Sequence, residues 1–122
     1  MDCAARGEIE FYKYYDSYDC DHHLSGDCDF YFRDVKIRER PYSSEDLFYK
    51  GSTRFKQDSQ TYYPSVTATV DLPSNLKVYL SMDVWDKDVS KDDLIRTMYN
   101  MVLTFENAII GHSYSTTYRS GS

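Results

Sequence analysis

Hydrophobic and polar residues alternate with a period of two along several short segments of this chain. The clearest segment is KVYLSMDVW, residues 77–85, where Val78, Leu80, Met82 and Val84 fall on one side and polar or amphipathic residues on the other. This period is typical of a β-strand with one face turned toward a core. We therefore expect residues 77–85 to form a strand whose apolar face packs inward.

Six further segments carry strand signals and are separated by residues that favour turns. The expected strands are EIEFYKYY (8–15), FYFRDVKIRE (30–39), GSTRF (51–55), SVTATVDL (65–72), MVLTF (101–105) and SYSTTYR (113–119). The segment KDDLIRTMYNMV (91–102) is instead expected to be a helical turn or an irregular connection. Seven or eight short strands without a long helical period predict an all-β fold, an antiparallel β-sandwich whose loops gather at the two ends of its sheets.

Length, composition and charge narrow the possible functions. The chain has 122 residues, of which 41% are hydrophobic and 16% aromatic, so we expect a single domain over residues 1–122 with a sizeable core. The formal net charge of −6 argues against a nucleic-acid partner, because such a protein needs a basic face to displace counterions from phosphate. The sequence contains no stretch of roughly 20 apolar residues that would suit a membrane span. It also lacks the motifs of phosphate loops, serine hydrolases and zinc proteases, so we do not expect an enzyme.

Two acidic segments follow predicted strands. The segment after residue 85 carries Asp86, Asp88, Asp92 and Asp93, and the segment DSYDCDHHLSGDCD (16–29) carries Asp16, Asp19, Asp21, Asp27 and Asp29. Calcium takes six to eight oxygen ligands, largely from carboxylates, backbone carbonyls and water. If both segments lie at one end of the sandwich, they would form a calcium site. The alternative is a pair of solvated acidic loops.

The cysteines leave several alternatives open. Cys20 and Cys28 flank the short loop DHHLSGD and would either form a disulfide in an oxidising compartment or remain free thiols. His22 and His23 raise the alternative of a zinc site, although the spacing matches no common zinc motif. A catalytic thiol at Cys28 beside His23 is disfavoured, because acidic neighbours raise a thiol pKa.

Three segments together resemble a C2 domain over residues 8–105. VYLSMDVWDKDVSKDDLI (78–95) is similar to the sixth strand and third calcium-binding loop of that family, where a strand ends in Trp-Asp-x-Asp and a further Asp and an apolar pair follow. SGDCDFYFRDVKI (25–37) is similar to the first loop and its strand, and TYYPSVTATV (61–70) to the strand after the family's Asn-Pro-x-Trp signature. The third loop is one residue short, and Arg96 replaces the usual Gly. CDFYFRDVKI (28–37) is also similar to the Cys-Asp-x-Tyr-Phe-Lys run in the N-terminal C2 domain of Notch ligands of the Delta and Jagged type.

The resemblance implies a C2-like Greek-key sandwich that uses calcium as its cofactor and binds an anionic phospholipid membrane surface. The family's five-carboxylate metal site would carry over onto Asp21 (or Asp19), Asp29, Asp86, Asp88 and Asp93. Membrane-contacting side chains are expected at the loop tips, where an apolar or amphipathic residue can enter the interface; the candidates are Leu24, Tyr62, Tyr63 and Val89. Five basic residues would either form one strand face that binds lipid headgroups or form an ordinary solvated face. They are Lys36, Arg38, Arg40, Arg54 and Lys56. Trp85 is expected to be a core or wedge residue.

The Notch-ligand subgroup is extracellular and holds disulfides near its first loop, which implies a disulfide between Cys20 and Cys28. We accordingly expect an extracellular or secreted protein peripheral to the membrane, with a cytoplasmic protein recruited to membranes as the alternative. A second function is an extracellular protein-interaction domain, with a cell-surface receptor as partner and degenerate or no calcium binding. A third is a structural sandwich with merely solubilising acidic loops.

Overall fold

Short antiparallel strands dominate the part of the chain that the structure, a computed structural model, describes: residues 6–18, 20, 28–56 and 60–105. These residues form eight strands and no helix: β1 (Arg6–Phe11), β2 (Tyr14–Tyr15), β3 (Phe30–Arg38), β4 (Phe48–Ser52), β5 (Thr61–Tyr62), β6 (Val66–Asp71), β7 (Lys77–Asp86) and β8 (Asp93–Thr104). The all-β, antiparallel prediction is confirmed for these residues.

The strands pair in three antiparallel sheets. One sheet has four strands in the order β4-β3-β7-β8, and two smaller sheets pair β1 with β6 and β2 with β5. Strand β7 is therefore central, with β3 on one side and β8 on the other. Three of the acidic residues singled out in the sequence lie at the ends of these neighbouring strands: Asp29 before β3, Asp86 at the end of β7 and Asp93 at the start of β8.

The alternation predicted for β7 is confirmed. Burial alternates along all ten residues, and Val78, Leu80, Met82 and Val84 are buried. The same inward register continues one step further, so the last buried residue of β7 is Asp86. The strand thus delivers a carboxylate to a position where the alternation would place an apolar side chain.

The helical turn or irregular connection expected for residues 91–102 is wrong, because β8 covers most of that segment and pairs with β7 along its length. Two irregularities in the β7–β8 register explain the error. Each bulge adds a residue that shifts the inward face of the strand. Apolar residues therefore recur three apart, at Ile95, Met98 and Met101, which imitates a helical period. Asn100 has a positive φ of 52° within this strand.

Other boundaries differ from the sequence prediction in smaller ways. The segment 8–15 divides into β1 and β2, which belong to different sheets. Strand β4 ends at Ser52, where the predicted strand 51–55 only begins. Residues 101–105 belong mainly to β8 rather than to a separate strand. The strand predicted at 113–119 lies outside the described residues.

One hydrophobic cluster joins the three sheets. The two smaller sheets contribute Tyr14, Tyr62, Ala68 and Val70, with Ile9 and Phe11 packed against them. The four-stranded sheet contributes the inward residues of β3, β7 and β8. The rings of Tyr14 and Tyr62 make edge-to-face contacts with Phe32, with centroids 5.6 and 5.1 Å apart. These contacts connect the β2–β5 sheet to β3 near the acidic end.

Candidate functional site

Four aspartates meet where β3, β7 and β8 come together. Asp29 directly precedes β3, Asp86 is the last residue of β7, and Asp93, the first residue of β8, is its cross-strand partner. The Asp29 N–H donates to Asp86 Oδ1 at 2.9 Å, and the Lys87 N–H donates to the Asp29 carbonyl at 2.9 Å. Asp88 follows on the loop between β7 and β8. We call Asp29, Asp86, Asp88 and Asp93 the acid cup.

Burial and the neighbouring carboxylates of the acid cup both act on Asp86. This carboxyl is 8% exposed. Burial raises its pKa above the ordinary value, and the carboxylates of Asp29, Asp88 and Asp93 raise it further, while the hydrogen bond from the Asp29 N–H acts in the opposite direction. Like charges opposite one another on neighbouring strands destabilise a sheet. The arrangement therefore costs free energy unless a cation neutralises it.

A disulfide between Cys20 and Cys28 lies against this cup. The two sulfurs and a carboxylate oxygen of Asp86 all lie within 4.8 Å of one another. The disulfide therefore holds Cys20 and Cys28, which flank residues 21–27, beside the end of β7. Because the sulfurs are bonded to each other, neither is a thiolate that could ligate zinc or act as a nucleophile in this oxidised form.

The loop between β7 and β8 is ordered by its own aspartates. Asp92 Oδ1 accepts the Asp88 N–H at 3.0 Å, and Asp88 Oδ1 accepts the Val89 N–H at 2.7 Å. Asp92 Oδ2 accepts the Tyr31 hydroxyl and lies 3.7 Å from Lys87 Nζ. The hydrogen bond from Tyr31 lowers the pKa of Asp92, and burial together with that bond raises the pKa of Tyr31 to about 12. Asp92 thus positions the loop rather than belonging to the acid cup.

Asp16, which the sequence places among the loop acids, is buried and paired with Arg96 of β8. Its carboxylate receives two hydrogen bonds from Arg96 and one each from the Tyr14 hydroxyl and the Tyr18 N–H. Burial alone would raise the pKa of Asp16, but these hydrogen bonds outweigh it and hold the pKa below its ordinary value. The pair connects the segment after β2 to β8. Its two residues are 80 positions apart, so no local pattern could have identified it.

The candidate membrane-contacting residues differ in exposure. Val89 is fully exposed at the tip of the β7–β8 loop, and Tyr63 is exposed, with Tyr12 beside its ring and Lys56 over it. Tyr62 is only 2% exposed, and its hydroxyl bonds to Thr53 at 2.7 Å. The prediction that Tyr62 is an exposed loop-tip anchor is therefore wrong: its ring fills the core.

The five basic residues proposed for headgroup contacts do not act as one face. Arg38 forms an ion pair with Asp46 at 2.7 Å, Lys56 lies over Tyr63, and Arg54 lines a separate groove beside Arg33. Arg40 is exposed and Lys36 is half-buried. Trp85 is half-buried outside the core cluster, with the Arg33 guanidinium 4.5 Å from its ring centroid, so the wedge alternative describes it better than the core.

Several predicted residues lie outside the described part of the chain. They are Asp19, Asp21 and Asp27 of the first acidic loop, the candidate anchor Leu24, and the histidines His22 and His23. The cup as described therefore consists of four of the five predicted calcium ligands. The fifth stays a prediction.

The described residues contain no helix that is long and apolar enough to cross a membrane. No family model and no curated protein matches this chain.

Proposed function

We propose that this chain is a C2-like β-sandwich that binds calcium in the acid cup and then docks on an anionic phospholipid surface. The observation that carries the proposal is the convergence of Asp29, Asp86, Asp88 and Asp93 from three strand ends. The sandwich and its Greek-key connections are part of the proposal. The single core cluster shared by the three sheets supports them.

The donor set suits calcium. All four side chains offer hard carboxylate oxygens, which calcium prefers, and the neighbouring loop backbone offers carbonyls. Asp86 is held by the Asp29 N–H, so one ligand is oriented before any ion arrives. Burial raises the pKa of Asp86, and the carboxylates of Asp29, Asp88 and Asp93 raise it further. A bound cation would act against both effects by favouring the charged form. Asp21 would add a fifth carboxylate.

Calcium in the cup would change how the chain meets an anionic surface. The chain carries a formal charge of −6, and each calcium ion adds +2 at the loop end. The empty cup repels anionic headgroups, whereas the filled cup attracts them and leaves coordination positions for phosphate oxygens. Val89 stands fully exposed on the same loop, where its side chain would enter the interface.

An extracellular setting accompanies this proposal. The Cys20–Cys28 disulfide is a bond that persists mainly in oxidising compartments. Extracellular calcium is abundant enough for a site of modest affinity, such as those of extracellular calcium modules. A weak, partly preformed cup would therefore be filled there.

The test is sedimentation with phosphatidylserine vesicles in calcium or in chelator. The intact chain should pellet with vesicles in calcium and stay in the supernatant with chelator. The double variant Asp86→Asn with Asp88→Asn should lose calcium-dependent binding, while a control of equal charge change on exposed β1 positions, Glu8→Gln with Glu10→Gln, should keep it. Equal binding by both variants would refute the proposed site.

A second candidate function, extracellular protein interaction, is favoured by exposed aromatic pairs. The rings of Tyr42 and Tyr99 lie 6.3 Å apart and those of Tyr12 and Tyr63 lie 6.0 Å apart, and all four side chains are exposed. Tyrosine is enriched in protein interfaces. A partner complex that persists in chelator and weakens with Tyr42→Ser would support this function over membrane docking.

A further inference from the structure

A groove of about 560 Å³ opens on the outer face of the four-stranded sheet, close to the loop that carries Lys87. The lining residues that matter here are Tyr31, Arg33, Arg54, Phe55, Lys87 and Asp92. Three of them are cationic and one is anionic. The groove therefore carries a local excess of positive charge in a chain whose net charge is −6.

Asp92 is the one carboxylate among these lining residues, and it interacts with both Lys87 and Arg33. Lys87 and Asp92 form the ion pair already described. Within residues 6–18, 20, 28–56 and 60–105, neither Arg33 nor Arg54 forms an ion pair with a carboxylate, although Asp83 is the cross-strand partner of Arg33. The Arg33 guanidinium lies over Trp85 instead, 4.5 Å from the ring centroid. Stacking of this kind leaves the edge of the guanidinium available to an anion.

The wall of the groove is the edge strand β4. Gly51 and Ser52 of β4 line the groove, and residues 49–52 are exposed. Strand β4 pairs with β3 on one side, and within the described part of the chain no strand pairs with its other side. An edge strand presents backbone N–H and C=O groups that an extended peptide can pair with. Lys50 adds a further positive charge to this edge.

We propose that the β4 edge and the adjoining groove bind an extended acidic peptide by strand addition. Arg33 and Ser52 are direct cross-strand partners, so they share the outer face of the sheet. In a strand added beyond β4, every second side chain would point to that same face, about 6.8 Å apart. Carboxylates at those alternate positions would meet the cations of the groove, and Phe55, which is 49% exposed, would pack on their aliphatic stems.

Charge and geometry together select this occupant. The cationic groove disfavours a basic peptide, and an apolar peptide would offer no carboxylate to Arg33 and Arg54. The backbone edge adds directional hydrogen bonds that only an extended chain can satisfy. The groove uses none of the acid cup carboxylates, so the inference goes beyond the proposed calcium function and does not depend on it.

The test is fluorescence anisotropy with a labelled seven-residue peptide that alternates Glu and Thr, titrated with the intact chain in excess chelator. Saturable binding is expected, and a matched peptide with Gln for Glu should bind at least about tenfold more weakly, which corresponds to ~1.4 kcal/mol. Two further Glu peptides distinguish strand addition from attraction by charge alone. In each, every second backbone amide is N-methylated, and the two peptides carry the methyl groups on opposite sets of amides. At least one of them should lose binding. Equal binding of both to that of the parent peptide would overturn the proposal.

Protein variants test the location. Arg54→Gln with Lys87→Gln should weaken binding of the Glu peptide at least tenfold, whereas Lys13→Gln with Lys77→Gln, which removes the same charge outside the groove, should change it less than twofold. Circular dichroism melts verify that both variants fold. Equal weakening by both pairs would show nonspecific attraction and overturn the proposal. A third outcome would also overturn it: the Glu peptide does not bind, and phosphatidylserine vesicles instead bind in a way that requires Arg54 and Lys87.

Discussion

Replacing Asp16 with Asn tests the interaction that connects β8 to the segment after β2. The substitution keeps the shape of the side chain and one acceptor oxygen, but it removes the charge that Arg96 requires. Asp16 is almost fully buried, whereas the Arg96 side chain is 35% exposed. The variant therefore leaves a cation that water can reach only in part.

The expected loss follows from these contacts. Breaking a buried ion pair by removing one partner costs about 3–5 kcal/mol. Partial hydration of Arg96 reduces this, and Asn still accepts the Tyr18 N–H, so we expect the free energy of unfolding to fall by about 2–3 kcal/mol. With a urea dependence of about 1.5–2 kcal/mol per molar, the unfolding midpoint should fall by about 1–2 M.

The assay is urea unfolding at pH 7 in chelator with the disulfide intact. The control is Asp71→Asn, which removes an equally charged partner from the exposed pair with Arg6 and should cost less than about 0.5 kcal/mol. Because the folded-state pKa of Asp16 is depressed, its contribution is present above the unfolded pKa and is lost as pH falls through the folded pKa. The difference between wild type and Asp16→Asn should therefore shrink in acid. Equal losses for the two variants at pH 7 would refute the reasoning.

Three further predictions concern the scaffold. A methyl group at Gly7 would lie 2.8–2.9 Å from atoms of Phe105 and Leu72. Gly7→Ala should therefore lower the free energy of unfolding, measured by urea titration, by about 1–3 kcal/mol. An unchanged free energy would contradict this packing. Thr53 Oγ1 is hydrogen-bonded to the Phe32 N–H and the Tyr62 hydroxyl. Thr53→Val should lower the free energy of unfolding by about 1–3 kcal/mol, and Thr53→Ser, which keeps the hydroxyl, should lower it much less. Equal losses for the two variants would contradict the hydrogen-bonding role. Reduction of the disulfide, which closes a loop of sequence separation 8, should lower stability by about 2–3 kcal/mol in thermal melts with and without reductant; an unchanged melt would contradict that contribution.

The sequence was sufficient where one face of a strand is buried without interruption. The alternation of β7 identified the strand and its inward face, and the acids at its end indicated the acid cup. The burial of Asp86 was missed, although it could have been inferred by continuing the alternation from Val84 by two residues. Asp29 was predicted from the resemblance of residues 25–37 to the first loop of C2 domains, and it lies directly before β3.

The sequence was insufficient where bulges or distant partners decide the structure. Two register shifts in β8 turned a strand into a pattern that resembles a helix. Arg96 was noticed only as a departure from the C2 pattern, and its role requires Asp16, which lies far away in sequence. The groove was missed because Arg33, Phe55 and Lys87 come from three separate segments that meet only in the folded sheet.

The measurement that tests the central claim most directly is the melting temperature with and without millimolar calcium, for the wild type and for Asp86→Asn with Asp88→Asn. Calcium at 100 times its dissociation constant would stabilise the wild type by about 2.7 kcal/mol. The folded-state pKa of Asp86 is raised, so the folded state favours the protonated carboxyl. Stability is therefore lost as pH rises through that pKa and the carboxyl ionises. Without calcium, the variant lacks this charge and should melt no lower than the wild type. The account predicts a calcium-induced rise for the wild type and none for the variant. An equal rise in both proteins, or none in the wild type, would contradict it.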